Sequence, residues 1–262
     1  MNVYPLFSGS SGNSTYVEFS KGRGFLVDAG KSAKQIEKHL KICGVEPQSV
    51  ESIFVTHEHL DHVSGLKVFA SRYNIKVYGS RGTVEALKAK GIVGNFDFEV
   101  IDKEVDTGYI GVNTFKISHD CSEGTGYVFS NSVGEKFAVC TDLGYVSDEV
   151  KLAISGCEVL MLESNHDVKM VENGPYPYYL KKRILSNRGH LSNETCAQLL
   201  PYLVNKGTKK ILLSHLSSNN NIPELAIQTS ICELGKHEIR NNRDVFLDVA
   251  PKLNESGVQV NI

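Results

Sequence analysis

The 262 residues hold no C-x-x-C pair, no excess of either charge and no long apolar run, and each absence removes a class of protein. The six cysteines, Cys43, Cys121, Cys140, Cys157, Cys196 and Cys232, lie far apart. That excludes a disulfide scaffold and a zinc ribbon, and leaves reduced, half-buried thiols in a cytoplasmic protein as the expectation. No apolar stretch approaches the roughly 18 residues that span a bilayer. The start, Met1-Asn2-Val3-Tyr4-Pro5, lacks the charged head and apolar stretch of a secretory signal, so no membrane partner is expected. With 28 Lys+Arg against 30 Asp+Glu the net charge is −2, and any grip on nucleic acid has to come from a local patch. Linker-like tracts, low-complexity segments and internal repeats are missing too, so the chain reads as one domain over 1–262. At 41% hydrophobic and 22% charged residues, the composition is that of a globular domain with a sizeable core.

Short β-type runs alternate with helical segments along that length. Asn2–Phe7 and Ser14–Phe19 flank the turn Ser8-Gly9-Ser10-Ser11-Gly12-Asn13, and Gly24–Asp28 follows. Ser32–Cys43 reads as an amphipathic helix with Ser32 as N-cap and Ile36, Leu40 and Cys43 on one face. Ser52–Thr56 is a buried strand, Gly65–Tyr73 a helix, and strands follow at Ile75–Tyr78, Val112–Ser118, Thr125–Phe129 and Lys136–Cys140. In the second half, helices are expected at Asp148–Ser155, Ser192–Leu203 and Pro223–Leu234, with strands at Val159–Glu163, Lys210–Ser214 and Val245–Val249. Sheet layers covered by helices, an α/β architecture, account for this order. His57, His119, Asp142, Glu163 and His215 all fall at or just after the end of an apolar strand, where layered folds hold their chemistry on rigid supports.

The segment His57-Glu58-His59-Leu60-Asp61-His62 carries the strongest signal. In an extended loop, residues two apart project to one side, so His57 and His59 can present imidazoles to one ion. The turn through Leu60 then offers Asp61 and His62 to a second. Two imidazoles and a third ligand leave an open position, as a catalytic site requires. Three histidines and a carboxylate in six residues would serve a plain solvated turn poorly.

Val55-Thr56-His57-Glu58-His59-Leu60-Asp61-His62 resembles the signature of the metallo-β-lactamase superfamily, whose other elements follow in order. Asp28 in Val27-Asp28-Ala29-Gly30 matches its early aspartate, and His119 in Ile117-Ser118-His119-Asp120, Asp142 in Cys140-Thr141-Asp142-Leu143-Gly144 and His215 in Leu213-Ser214-His215-Leu216 match its later motifs. The resemblance implies a four-layer αββα sandwich with a metal pair at its edge. It implies that His57, His59 and His119 bind one divalent ion, zinc or manganese, and that Asp61, His62 and His215 bind another. Asp142 would bridge them, with a shared hydroxide as nucleophile. Asp28 would orient a ligand histidine.

Within that superfamily the chain is similar to the WalJ/YycJ-like (VicX) proteins, through Ser8–Ser14, Leu162-Glu163-Ser164-Asn165-His166-Asp167, Gly174-Pro175-Tyr176-Pro177 and Gly189-His190-Leu191-Ser192-Asn193. This implies a 5′-to-3′ exonuclease acting on DNA. An Asp rather than a Cys at the bridging position suits phosphodiester cleavage. Glu163 and His190 resemble the pair that protonates the leaving oxygen in phosphodiesterase members, and a histidine oriented by a carboxylate suits that task. These two and Asp61 are the catalytic candidates. His166 is placed near the site, below these in rank, as a metal ligand, a phosphate contact or a structural hydrogen-bonder. His39 and His237 read as surface or boundary residues.

Two segments could meet nucleic acid. Tyr176, Tyr178 and Tyr179, followed by Lys181, Lys182, Arg183 and Arg188, could stack bases and pair phosphates, though a solvated cover for the site explains them as well. The Ser8–Ser14 loop, with Asn13, could touch a phosphate through backbone N–H groups or simply be a hairpin turn. Hydrolysis of a small ester, thioester or cyclic phosphate is the alternative activity, and a regulatory binding protein with a structural metal site the alternative class. No obligate protein partner is expected, and a homodimer stays open.

Overall fold

The computed structural model describes residues 1–262. One seven-stranded sheet contains β1 (Asn2–Phe7), β2 (Ser14–Ser20), β3 (Arg23–Val27), β4 (Val50–Phe54), β5 (Lys76–Gly79) and β6 (Phe98–Val100), in that order. The other contains β7 (Glu104–Asp106), β8 (Gly111–Lys116), β9 (Thr125–Ser130), β10 (Lys136–Cys140), β11 (Val159–Glu163), β12 (Lys210–Ser214) and β13 (Phe246–Val249). The short β14 (Val260–Asn261) returns to pair antiparallel with β1 and closes the first sheet. Each sheet opens antiparallel and continues parallel: β3 to β6 in the first, β10 to β13 in the second.

The apolar strands are buried on both faces, and their alternation sorts side chains into two layers. Phe25, Val27, Phe54, Phe137, Val139, Val159, Met161 and Leu212 point between the sheets, where Phe129 lies 4.5 Å from Phe25 and 5.1 Å from Phe54. Their neighbours Leu26, Ile53 and Val55 face α1 (Ala33–Ile42), α2 (Leu60–Val63), α3 (Leu66–Tyr73) and α4 (Arg81–Ala89). Ala138, Cys140, Leu160, Leu162, Ile211 and Leu213 face α5 (Asp148–Ala153), and, beyond α6 (Val168–Asn173) and α7 (Tyr178–Ile184), α8 (Asn193–Asn205) and α9 (Pro223–Lys236). These three apolar cores separate the four layers of an αββα sandwich. No helix is long and apolar enough to cross a membrane.

Several local expectations need revision. Ser32 precedes α1, but its side chain makes no capping hydrogen bond to the first-turn amides; its hydroxyl donates to Gln35 Oε1. Ser192 does cap α8, accepting from Thr195 N at 3.1 Å. His39 is buried rather than at the surface: its Nδ1 lies 2.8 Å from the Gln35 carbonyl, and its ring packs edge-on to Phe7 at 4.6 Å. The helices α2, α4, α6 and α7 and the short strands β6, β7 and β14 lie outside the expected elements.

Candidate metal centre

Loops leaving the C-terminal ends of the strands in both sheets meet at one point. Asp28 follows β3, His57, His59, Asp61 and His62 follow β4, Asp142 follows β10, and His215 follows β12. Asp28, Asp142 and His215 hold the backbone in the left-handed region, with φ of 61°, 58° and 57°. Only six non-glycine residues do so, so half of this local strain is concentrated here, as expected of a site held by its surroundings. Glycine lets the loops close: a Cβ on Gly30 would lie 1.8 Å from the Asp61 carbonyl oxygen, and one on Gly144 would lie 2.2 Å from that of Asn187.

Thr56 and Asp28 fix the start of the motif. The Thr56 N–H and hydroxyl donate to Asp28, and Asp28 Oδ2 lies 2.7 Å from His62 Nδ1. That contact leaves His62 Nε2 facing Asp142 Oδ2 at 3.2 Å and Asp61 Oδ2 at 3.4 Å. His57 Nε2 and His59 Nδ1 face each other at 3.0 Å. His119 Nδ1 donates to the Gly189 carbonyl at 3.0 Å, which turns Nε2 inward, 3.7 Å from Asp142 Oδ1. Glu58 accepts from both the N–H and the hydroxyl of Ser122, tying the motif to the loop behind His119.

Glu163 is fully buried at the end of β11 and uses both oxygens. Oε1 accepts from His190 Nδ1 at 2.8 Å and His215 Nδ1 at 2.9 Å, while Oε2 accepts from the amides of Leu143 and Leu191. His190 Nε2 is thereby the free nitrogen of its ring.

Without a cation the cluster divides electrically. Burial, with the charge of His62 added, holds His57 well below the ordinary imidazole pKa, and burial lowers His119 as well. Burial also works against charge on His62 and His215, but the carboxylates prevail. Asp142 and Asp28 hold His62 well above its ordinary value, and Asp142, Asp61 and Glu163 push His215 up to about 10. In return, despite burial, His215 and His62 depress Asp142, and His190 and His215 hold Glu163 at about 2.

These residues fit divalent cations. Three groups have donor atoms within 4.8 Å of one another: His57, His59 and His119; His57, His62 and Asp142; and Asp61, His62 and His215. A fourth comprises Asp142, Glu163, His190 and His215. Asp142 Oδ2 and His215 Nε2 are buried and make no well-directed hydrogen bond, although His62 Nε2 lies 3.2 Å from the first and Asp61 Oδ2 3.6 Å from the second, an arrangement that costs free energy unless something else satisfies them. An all-nitrogen and oxygen donor set suits zinc or manganese.

The weaker candidates scatter. Asn13 Nδ2 lies 3.1 Å from His62 Nε2 and its amide donates to the Asp61 carbonyl at 2.7 Å, so the loop reaches the cluster. His166 is 2% exposed, its Nδ1 is unpartnered, and burial pushes its pKa down to about 4. It belongs to none of the four donor groups. Arg183 is not a free cation: it grips Asp120 through two nitrogens, and Asp120 Oδ1 lies 3.3 Å from His119 Nε2. Lys181 donates to the Glu172 carbonyl. Lys181 and Lys182 line a cavity of about 600 Å³ with Tyr178 and Leu185, and no donor residue lines it. Thr56 and Asp120 stand in the quoted motifs, each beside a singled-out histidine, but no role of their own is expected for them from the sequence.

A four-layer sandwich with these donors at its edge defines a metal-dependent hydrolase class, and the chain belongs to the metallo-β-lactamase superfamily, whose family model matches residues 8–215. Among individual proteins, it is 39% identical over 240 residues to the exodeoxyribonuclease WalJ of Streptococcus pneumoniae, covering 89% of this chain and 88% of that one. It is 42% identical over 227 residues to the exodeoxyribonuclease YycJ of Bacillus anthracis, covering 84% of each. Among solved structures, Zn²⁺-bound PqqB from Methylobacterium extorquens shares the fold at TM-score 0.69 and 15% identity, over all of both chains.

Proposed function

We propose that the protein is a metal-dependent phosphodiesterase and, most specifically, a 5′-to-3′ exonuclease acting on DNA. One observation carries the chemistry: Glu163 holds His190 and His215 through a single oxygen, linking a potential proton donor to the metal cluster. The nuclease names of relatives aligned over more than four-fifths of the chain support the substrate class. Six unpaired thiols, three of them buried, suit a reducing cytoplasm.

In this reading His57, His59 and His119 would hold one divalent cation, Asp61, His62 and His215 would hold a second, and Asp142 would serve both. When bound, the cations supply Lewis acidity and a water of lowered pKa. Asp28 keeps a proton on His62 Nδ1 and thereby presents Nε2. The Gly189 carbonyl does the same for His119, and Glu163 for His215. Glu163 also orients His190 through Nδ1, which leaves Nε2 to serve the departing O3′ as the proton-donating position.

The deciding experiment offers a 5′-labelled duplex, a single strand, bis(4-nitrophenyl) phosphate and a thioester in parallel, with Mn²⁺ or Zn²⁺. Mononucleotides released from the labelled end are expected. Turnover of the thioester alone would reject the phosphodiester class.

Metal loading has its own signature. Burial lowers His57 and His119 and favours their neutral form at neutral pH, whereas His62 and His215 carry protons that a cation must displace. Titrating chelator-treated protein in weak buffer is expected to show a first ion binding with little proton release, then a second releasing about two protons. The affinity of the second should climb with pH. Release confined to the first ion would reverse the assignment of the halves.

A further inference from the structure

The Ser8–Ser14 loop forms a tight turn, with the Gly12 amide donating to the Gly9 carbonyl at 2.9 Å. Its tip, Ser10 and Ser11, is exposed, and neither their amides nor their hydroxyls find a partner within the protein. The turn is seated between two site loops: a Cβ on Gly9 would lie 3.1 Å from the Leu216 carbonyl, and one on Gly12 would lie 2.7 Å from that of Gly30. Leu216 follows His215, and Asn13 bonds to Asp61, so the turn borders the Asp61–His62–His215 group. Lys31 lies across it. Its Cε and Cδ would come within 2.6 and 2.7 Å of a Gly12 Cβ, so the absence of that atom makes room for the lysine stem. Lys31 is only partly exposed, yet its ammonium has neither a hydrogen-bond acceptor nor a carboxylate within ion-pair distance, unlike Arg183 with Asp120 or Arg23 with Glu51. A half-buried lysine without a partner, beside free amides and hydroxyls, is an arrangement suited to an anion.

We propose that Lys31 and the Ser10–Ser11 tip form a phosphate subsite that takes the strand phosphate next to the scissile one. The inference rests on the phosphodiesterase reading and adds a substrate-binding residue to it. A second phosphate held here would favour polynucleotides over diesters that carry a single phosphate.

The test compares wild type with Lys31→Ala, Lys31→Arg and Lys31→Glu on bis(4-nitrophenyl) phosphate and on a 5′-phosphorylated oligonucleotide. It adds oligonucleotides carrying one uncharged methylphosphonate linkage at successive positions. For Lys31→Ala, kcat/KM on the oligonucleotide relative to the aryl diester is expected to fall about tenfold, mainly through KM. Arg should restore most of it, and Glu should lower it further. In wild type, a methylphosphonate beside the scissile linkage should cost a similar factor, and Lys31→Ala should erase that penalty. A substrate ratio unchanged in Lys31→Ala, or a methylphosphonate penalty that survives it, would remove the subsite alone. Wild-type protein that cleaves the aryl diester but no oligonucleotide would remove the nuclease reading, and the subsite with it.

Discussion

His190→Ala is expected to lower kcat on DNA by roughly 10²–10⁴-fold, the usual worth of a positioned general acid, while metal content stays that of wild type. The size of the loss should depend on the leaving group. A deoxyribose O3′ leaves as a strongly basic alkoxide unless it is protonated, whereas 4-nitrophenolate departs without help. On bis(4-nitrophenyl) phosphate the same variant should therefore lose less than about tenfold. Equal losses on the two substrates would show that His190 holds substrate or cation and is not a proton donor. Its place at 2.8 Å from Glu163, with Nδ1 committed there, favours the proton role.

Asp142→Asn should have the largest effect on the metal-free protein. Asparagine tolerates the left-handed backbone at φ 58°, so the change removes charge with little added strain. It leaves His62 and His215 buried with one carboxylate fewer, and breaking a buried ion pair from one side costs about 3–5 kcal/mol. Both signs of linkage bear on the pH dependence. Asp142 is depressed, so its contribution is present above the ordinary carboxylate value and fades as the pH falls toward its folded value. His62 and His215 are raised, so theirs is complete below the ordinary imidazole value and is lost as the pH climbs, for His215 toward about 10. The stability gap between wild type and variant should therefore be widest between roughly pH 4 and 6.5. Denaturant titrations in chelator across that range measure it, and a gap that ignores pH would mean the buried charges are not coupled as described. Cation uptake by the variant should also fail in the second half of the site.

Most of the sandwich was legible because its strands are short apolar runs whose two faces both meet a core. That pattern is local, and β4, β10, β11 and β12 show it within one or two residues of the expected positions. The strand β14 has two residues and pairs with the opposite end of the chain, so nothing near it announces a strand. His39 reads as a surface or boundary residue on an amphipathic helix, and its burial includes a contact with Phe7 of β1 that its own segment does not announce. The cluster was legible where donors crowd together, at residues 57–62. Its distant members needed the order of family motifs, because chain separation carries no distance. Arg183 shows the limit: beside two lysines it looks available to phosphate, yet Asp120, 63 positions away, already holds it.

The donor groups draw from both sheets at once. His57, His59, Asp61 and His62 hang from one, and His119, Asp142 and His215 from the other. Neither half transplanted onto another scaffold would bring a working centre with it. The centre exists only at the junction, so prising the two sheets apart would dismantle every group that joins them.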